Sequence, residues 1–72
     1  MGFDLEQKTL QPHEQRVVEE RDQLKDRMDK LREFLQKGQP KFIDDVNWNL
    51  LQLQFDAMSQ YYAILLQRIA LF

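Results

Sequence analysis

The side chains best suited to chemistry fall in two stretches, one near each end of the chain. Arginine offers planar N–H donors to phosphate or carboxylate oxygens, and tyrosine offers a flat face and a hydroxyl group. The candidate ligand-binding residues are His13, Arg16, Arg21, Tyr61, Tyr62 and Arg68. Together they indicate a site for a small anion of nucleotide size. The alternative is internal ion pairing, with Arg68 bound to Glu14 or Glu20.

The same inventory argues against an enzyme. His13 is the one histidine and the chain has no cysteine, which is a poor ligand set for zinc. Gly2 and Gly38 are its two glycines, too few for a phosphate-binding loop. Acidic residues between positions 19 and 29 alternate with basic ones, a pattern that favours salt bridges over metal binding. We expect no catalytic residue, no metal site and no cofactor.

Length and composition predict one small domain over residues 1–72. A chain of this size without cysteines needs well-packed helices, oligomerisation, or both. The net charge is −2 and the pI is about 5.2, which argues against DNA as a partner. The sequence shows no targeting signal, and its apolar C-terminal run is shorter than the ~20 residues that span a bilayer. We expect a cytoplasmic protein that does not enter a membrane.

Local signals predict two long helices and a short turn. Pro12 suits the first turn of a helix, Gly38 suits a left-handed stop, and Asp44 or Asp45 can cap a second helix. The predicted segments are an N-terminal arm at 1–10, a first helix at 11–37, a turn at 38–43 and a second helix at 44–72. A connection this short folds the helices back as an antiparallel hairpin. The predicted fold class is all-α.

Apolar residues recur at heptad spacing in both helices. The first helix carries Val17, Leu24 and Leu31, with Met28 and Leu35 in the neighbouring row, which continues backwards to Arg21 and Glu14. The second helix carries Leu51, Met58, Leu65 and Phe72, with Trp48, Phe55, Tyr62 and Ile69 beside them. These rows predict a coiled-coil seam between the helices. Residues whose numbers add up to about 82 then lie close together, so the candidate site residues gather at one end of the hairpin.

The second helix carries a further apolar stripe that the first helix cannot also cover. Its members are Val46, Leu50, Leu53, Ala57, Ile64 and Leu71. A helix that is apolar round most of its girth is normally buried, and large apolar patches are rare on monomers. We therefore predict a homo-oligomeric helical bundle with this stripe as the subunit interface. The first helix is the outer, solvated one, with Asp26–Lys30 and Glu33–Lys37 spaced for ion pairs.

A resemblance to short phage and prophage helical-hairpin proteins, related to a small crAss-like phage protein, rests on two stretches. They are PHEQRVVEE (12–20), followed by Leu24, Leu31 and Phe34, and AMSQYYAILLQRIALF (57–72). Tyr62 and Leu66 are bulkier than the pattern of those proteins. The resemblance implies a phage accessory protein that acts inside the host cell, for example against host defence. One strategy of such proteins is an oligomeric sponge that binds a cyclic nucleotide immune signal without cleaving it.

Three classes of function follow from these observations. The first is a sequestering protein that holds a cyclic nucleotide or an ADP-ribose-type ligand through His13, Arg16, Tyr61 and Arg68. The second is an inhibitor or adaptor that docks its helical surfaces on a host protein. The third is a structural bundle within a phage particle.

Overall fold

The computed structural model describes residues 9–72, and this part of the chain forms two α-helices and no strand. Helix α1 spans Pro12–Gln36 and helix α2 spans Asp45–Ala70. They pack against each other along their length as a hairpin, so the all-α hairpin prediction is confirmed. Most of the arm predicted at 1–10 lies outside the described residues.

Helix α1 begins and ends on local signals. The backbone N–H of Gln11 donates to the Glu14 carboxylate at 2.9 Å, which satisfies a donor that the first turn leaves unpaired. After the helix, Gly38 adopts a φ of +89°, a conformation that side chains with a Cβ rarely take. The helix is one residue shorter at each end than the predicted 11–37, because Gln11 and Lys37 are its cap residues.

Helix α2 is capped by the first of the two aspartates that the sequence offered. The Asp44 carboxylate accepts a hydrogen bond from the backbone N–H of Asn47 at 2.8 Å. Asp45 is therefore the first helical residue, and its charge lies favourably in the positive first turn. The helix ends at Ala70, within the predicted 44–72, and Leu71 forms its C-terminal cap.

The heptad seam forms the core. Val17 and Leu24 on α1 and Leu65 on α2 form one buried cluster, and Leu65 is fully covered. The partly buried residues packed on this cluster are Met28, Met58, Tyr62, Ile69 and Phe72. Near the turn, the rings of Phe34 and Trp48 lie 6.0 Å apart, which agrees with the predicted antiparallel pairing. The core is thus a single narrow strip between two helices.

The outer face of α1 is charged, as the sequence predicted. The expected pair Lys30–Asp26 forms at 3.0 Å. Further contacts join Lys25 and Arg32 to Asp29. The pair expected between Glu33 and Lys37 does not form among residues 9–72. Exposed pairs of this kind contribute little to stability individually, but they keep this face in solvent.

The further apolar stripe of α2, called here the second stripe, faces away from α1. Its members, Val46, Leu50, Leu53, Ala57, Ile64 and Leu71, are all exposed in the chain. Leu53 is the least exposed of its large side chains at 53%, and Leu71 is the most exposed at 86%. One neighbouring helix can cover one face of α2, and α1 covers the seam. Within residues 9–72, neither helix has the length and apolar character that crossing a membrane requires.

Candidate functional site

The heptad positions place three of the predicted site residues on one side of the seam. His13 lies four residues before the buried Val17 on α1. On α2, Tyr61 lies four residues before the buried Leu65, and Arg68 lies three residues after it. Positions four before and three after a seam residue border the seam on the same side. In an antiparallel pair, this side of one helix lies next to the same side of the other, so the three residues share one flank.

Arg16 lies at the outer edge of this flank, one residue before Val17. His13, Arg16 and Arg68 are all exposed, and Tyr61 is 42% exposed. We call these four residues the polar flank. They occupy the end of the hairpin where α1 begins and α2 ends. Their exposure leaves the donor groups accessible to a ligand from solvent.

The alternative of an internal partner for Arg68 is not what the structure shows. Across residues 9–72, the ion pairs lie within α1 between positions 21 and 32, and none involves Arg68. Glu14, one of its two expected partners, instead accepts the cap hydrogen bond of α1. No ion pair joins Arg68 to Glu20 in this range either. Within residues 9–72, the guanidinium group of Arg68 therefore has no carboxylate partner.

Arg21 and Tyr62 do not join the polar flank. Arg21 is half-buried, and its Nε donates to the Asp22 carboxylate at 2.8 Å. Tyr62 is half-buried and packs on the core cluster. Both belong to heptad rows of the seam itself, as the row through Met28 and the row through Ile69 already indicated. The heptad positions thus put four of the six predicted residues on or beside one flank and the other two in the seam, and ligand binding by any of the six stays a prediction.

On the other side of the seam, Lys25 of α1 has a carboxylate partner. A hydrogen bond from Lys25 Nζ to Asp29 at 2.9 Å raises the pKa of Lys25, and the Tyr62 side chain adds a smaller effect in the same direction. The same hydrogen bond lowers the pKa of Asp29. Lys25 and Asp29 are therefore partners within α1. By contrast, the cations of the polar flank have no carboxylate bound to them among the described residues.

The side chains of the polar flank have the groups that anion binding requires. Two guanidinium groups donate planar hydrogen bonds that match phosphate oxygens, and the phenol and imidazole rings offer flat faces and further polar contacts. Among residues 9–72, no three His, Asp or Glu side chains cluster so as to hold a metal ion. That the protein needs no metal or cofactor and is not an enzyme stays a prediction from its residue inventory.

A groove at the opposite end of the hairpin was not predicted from the sequence. It has a volume of about 490 Å³ and opens to solvent. Its lining residues are Phe42, Ile43, Asn47, Leu50, Leu51 and Gln54. Phe42 is 82% exposed on the turn, and Leu50 belongs to the second stripe. The sequence did carry a signal, because an aromatic residue between Pro40 and the helix cap belongs to neither heptad seam. We call this feature the turn groove.

A family model described as Sequestin matches residues 11–71. The match extends from the cap residue of α1 to the cap residue of α2, so it includes both helices, the turn and the whole polar flank. No curated protein and no solved structure matches the chain. The relation to a small crAss-like phage protein stays a prediction.

Proposed function

This chain belongs to the Sequestin family, and from that premise we propose that it sequesters a small anionic ligand of the nucleotide type without altering it. The name of the family is consistent with a sequestering role. The observation that carries the proposal is the polar flank, where Arg16 and Arg68 are exposed at the same end of the hairpin and bind no carboxylate among residues 9–72. Unpartnered guanidinium groups beside tyrosine and histidine rings suit phosphates linked to a base.

The ligand classes that fit best are cyclic nucleotides and ADP-ribose derivatives. Both combine phosphate groups, which the two arginines recognise, with a base that stacks on an aromatic ring. Tyr61 supplies such a ring on the flank, and His13 supplies a polar contact next to the arginines. A flank on one hairpin is an open surface rather than a cavity, so enclosure of the ligand requires a second copy of the chain.

Self-association is therefore part of the proposal. The second stripe exposes apolar side chains along the whole of α2, and monomeric proteins rarely leave a patch of that extent in solvent. Its contact with another copy would bury that area and bring two polar flanks into one assembly. In its full form the proposal describes a non-enzymatic phage accessory protein that acts inside the host cell and withholds an immune signal from host defence.

Ligand binding is tested by calorimetry and thermal shift against a panel of cyclic nucleotides and ADP-ribose derivatives. Arg16→Ala should weaken binding by about tenfold to a hundredfold, the value of a charge-assisted hydrogen bond. Lys37→Ala is the matched control, because it removes the same charge from an exposed position at the other end of the hairpin. Denaturing the complex and recovering the ligand intact separates sequestration from turnover. A folded protein that responds to no member of the panel would contradict the proposal.

The exposed second stripe also supports a second candidate, an inhibitor or adaptor that docks on a host protein. An amphipathic helix face with large aliphatic side chains at heptad spacing is a common protein-binding surface. Light scattering distinguishes the two candidates. An oligomer that is unchanged by host lysate has already buried the stripe, whereas a monomer that forms a one-to-one complex with a host protein favours the adaptor.

A further inference from the structure

The exposed side of α2 has a heptad pattern of its own, separate from the seam. One row consists of Leu50, Ala57, Ile64 and Leu71, and the row beside it consists of Asn47, Gln54, Tyr61 and Arg68. The intervals between successive members alternate between three and four residues, as in the core rows of a coiled coil. All the apolar members of these rows are exposed. This side of α2 is therefore shaped to pack against another long helix.

We propose that its occupant is helix α2 of a second copy of this chain, running antiparallel. The proposal rests on the self-association proposed above and specifies its geometry. In antiparallel heptad packing, each residue of one row lies level with a residue of the other row on the partner helix. Alternative registers differ by whole heptads. In one of them, residues that lie side by side have numbers that add up to about 118, and every member of both rows then has a partner on the other helix. Shifting it by a heptad in either direction leaves Leu50 or Leu71 without a partner.

At two levels of this register an aliphatic side chain lies opposite a long polar one of the second copy, Leu50 opposite Arg68 and Ile64 opposite Gln54, so the contact there is with their methylene groups. The remaining levels pair side chains of complementary size. Ala57 lies level with Tyr61 of the second copy, so a small residue faces a large one. Leu71, which is 86% exposed, lies level with Asn47 of the second copy. Asn47 lines the turn groove, so the leucine enters a depression that the structure already provides. The groove and the second stripe are continuous through Leu50, and one contact covers both.

Charge also favours the antiparallel direction. Helix α2 begins with the acidic residues Asp44 and Asp45 and ends with the basic Arg68. An antiparallel partner brings the basic end of each helix alongside the acidic end of the other, and it opposes the two helix dipoles favourably. A parallel partner would place the two Arg68 side chains next to each other. Exposed apolar surface is available for this contact, since Leu50, Ile64 and Leu71 of the contact rows each expose more than half of their surface.

The arrangement has a consequence for the polar flank. Because the helices run in opposite directions, the turn of one copy comes to lie beside the end of the other copy that carries Arg68. In this register Tyr61 and Arg68 belong to the contact row, so the polar flank borders the interface, and its two residues on α1, His13 and Arg16, lie beside the second copy. Each antiparallel dimer thus holds two equivalent ligand positions, one at each end.

Pulsed electron paramagnetic resonance with spin labels tests the direction directly, because the chain has no native cysteine. Gln60→Cys and Gln67→Cys place labels in the exposed heptad row that also contains Val46 and Leu53 and that borders the two contact rows. In the antiparallel register the two copies of residue 60 lie about 3 Å apart along the helix axis, and those of residue 67 lie about 24 Å apart. The distance between labels should therefore be at least about 10 Å longer at position 67. Equal distances at both positions, or no distance between chains at either, would overturn the proposal.

The variant Arg68→Gln gives an independent test through the sign of its effect. Loss of the cation should raise the dissociation constant of the antiparallel dimer by about twofold to fivefold, since an attraction is removed at each end. In a parallel dimer the same change removes a repulsion and lowers that constant, which would contradict the proposal. Both measurements are made without ligand. A negative ligand screen leaves them unaffected, and a parallel dimer leaves the ligand proposal standing.

Discussion

Leu65 and Ile64 are neighbours on α2 that the structure places in opposite environments. Leu65 is 0% exposed, in a cluster with Val17 and Leu24, whereas Ile64 is 54% exposed on the second stripe. Replacing each by alanine removes aliphatic groups from the same helix at almost the same level. The difference between the free energies of unfolding of the two variants therefore reports which side of α2 faces α1, because the helical context of the two positions is nearly the same.

The magnitude follows from burial. Truncating a fully buried leucine costs about 2–5 kcal/mol, the sum of lost burial and of the cavity left behind. A single chain of this length with one narrow core has about 5 kcal/mol of stability at most. Leu65→Ala should therefore remove a large part of that stability. Ile64→Ala should cost about 1 kcal/mol or less in the monomer, because roughly half of that side chain is already in solvent.

Urea denaturation followed by circular dichroism provides the measurement, over a wide range of chain concentrations. At the lowest concentration the two variants should differ by at least about 2 kcal/mol. At high concentration the parent should gain stability through association, and Ile64→Ala should lose most of that gain. Equal costs for the two variants in the dilute monomer would refute the assignment of Leu65 to the seam. A parent whose stability does not depend on concentration would refute the role of the second stripe in self-association.

Three further predictions concern the turn, the cap and the charged face. Gly38→Ala should destabilise the hairpin by about 1–2 kcal/mol through its φ of +89° alone, since nothing lies within 4 Å of an added Cβ, and Gly38→Asn should cost less in the same denaturation assay. Asp44→Ala should cost about 1 kcal/mol in thermal unfolding because the Asn47 N–H loses its acceptor, whereas Asp45→Ala should cost less than half as much. The Lys25–Asp29 hydrogen bond should be lost as pH falls through the lowered pKa of Asp29 or rises through the raised pKa of Lys25. In Lys25→Met the pKa of Asp29, measured by NMR, should therefore rise, and an unchanged pKa would contradict this prediction.

The helices and their seam were predictable because their signals are local. A glycine with a positive φ, an aspartate at a cap and apolar residues at heptad spacing act within a few residues of themselves. The sequence offered both Asp44 and Asp45 as caps, and the choice between them needed the hydrogen bond to Asn47. The exposed second stripe was also predictable, since one neighbouring helix cannot cover two faces of α2.

The candidate site was predictable in part. Its position at one end of the hairpin follows from the antiparallel pairing. The identity of its residues does not, because His13 and Arg21 are close in sequence and yet His13 borders the seam whereas Arg21 lies in a seam row. The heptad row of Arg21 already indicated that it lies in the seam. The site prediction selected residues by type and by nearness to one end of the hairpin, so it did not take the heptad row into account. The internal partners expected for Arg68 likewise depended on which acids the caps and ion pairs had already engaged.

By itself, the amino-acid sequence determined the two helices, their ends, the narrow seam and the exposed stripe, because each depends on spacing along one chain. The tertiary structure decided how far the polar flank and the second stripe are exposed, that Arg68 binds neither Glu14 nor Glu20 among residues 9–72, and that the turn leaves a groove beside Phe42. Those properties depend on how two helices are rotated about their axes and joined. Rotation is set by the packing of side chains distant in sequence, such as Leu65 between Val17 and Leu24, and no local pattern specifies it.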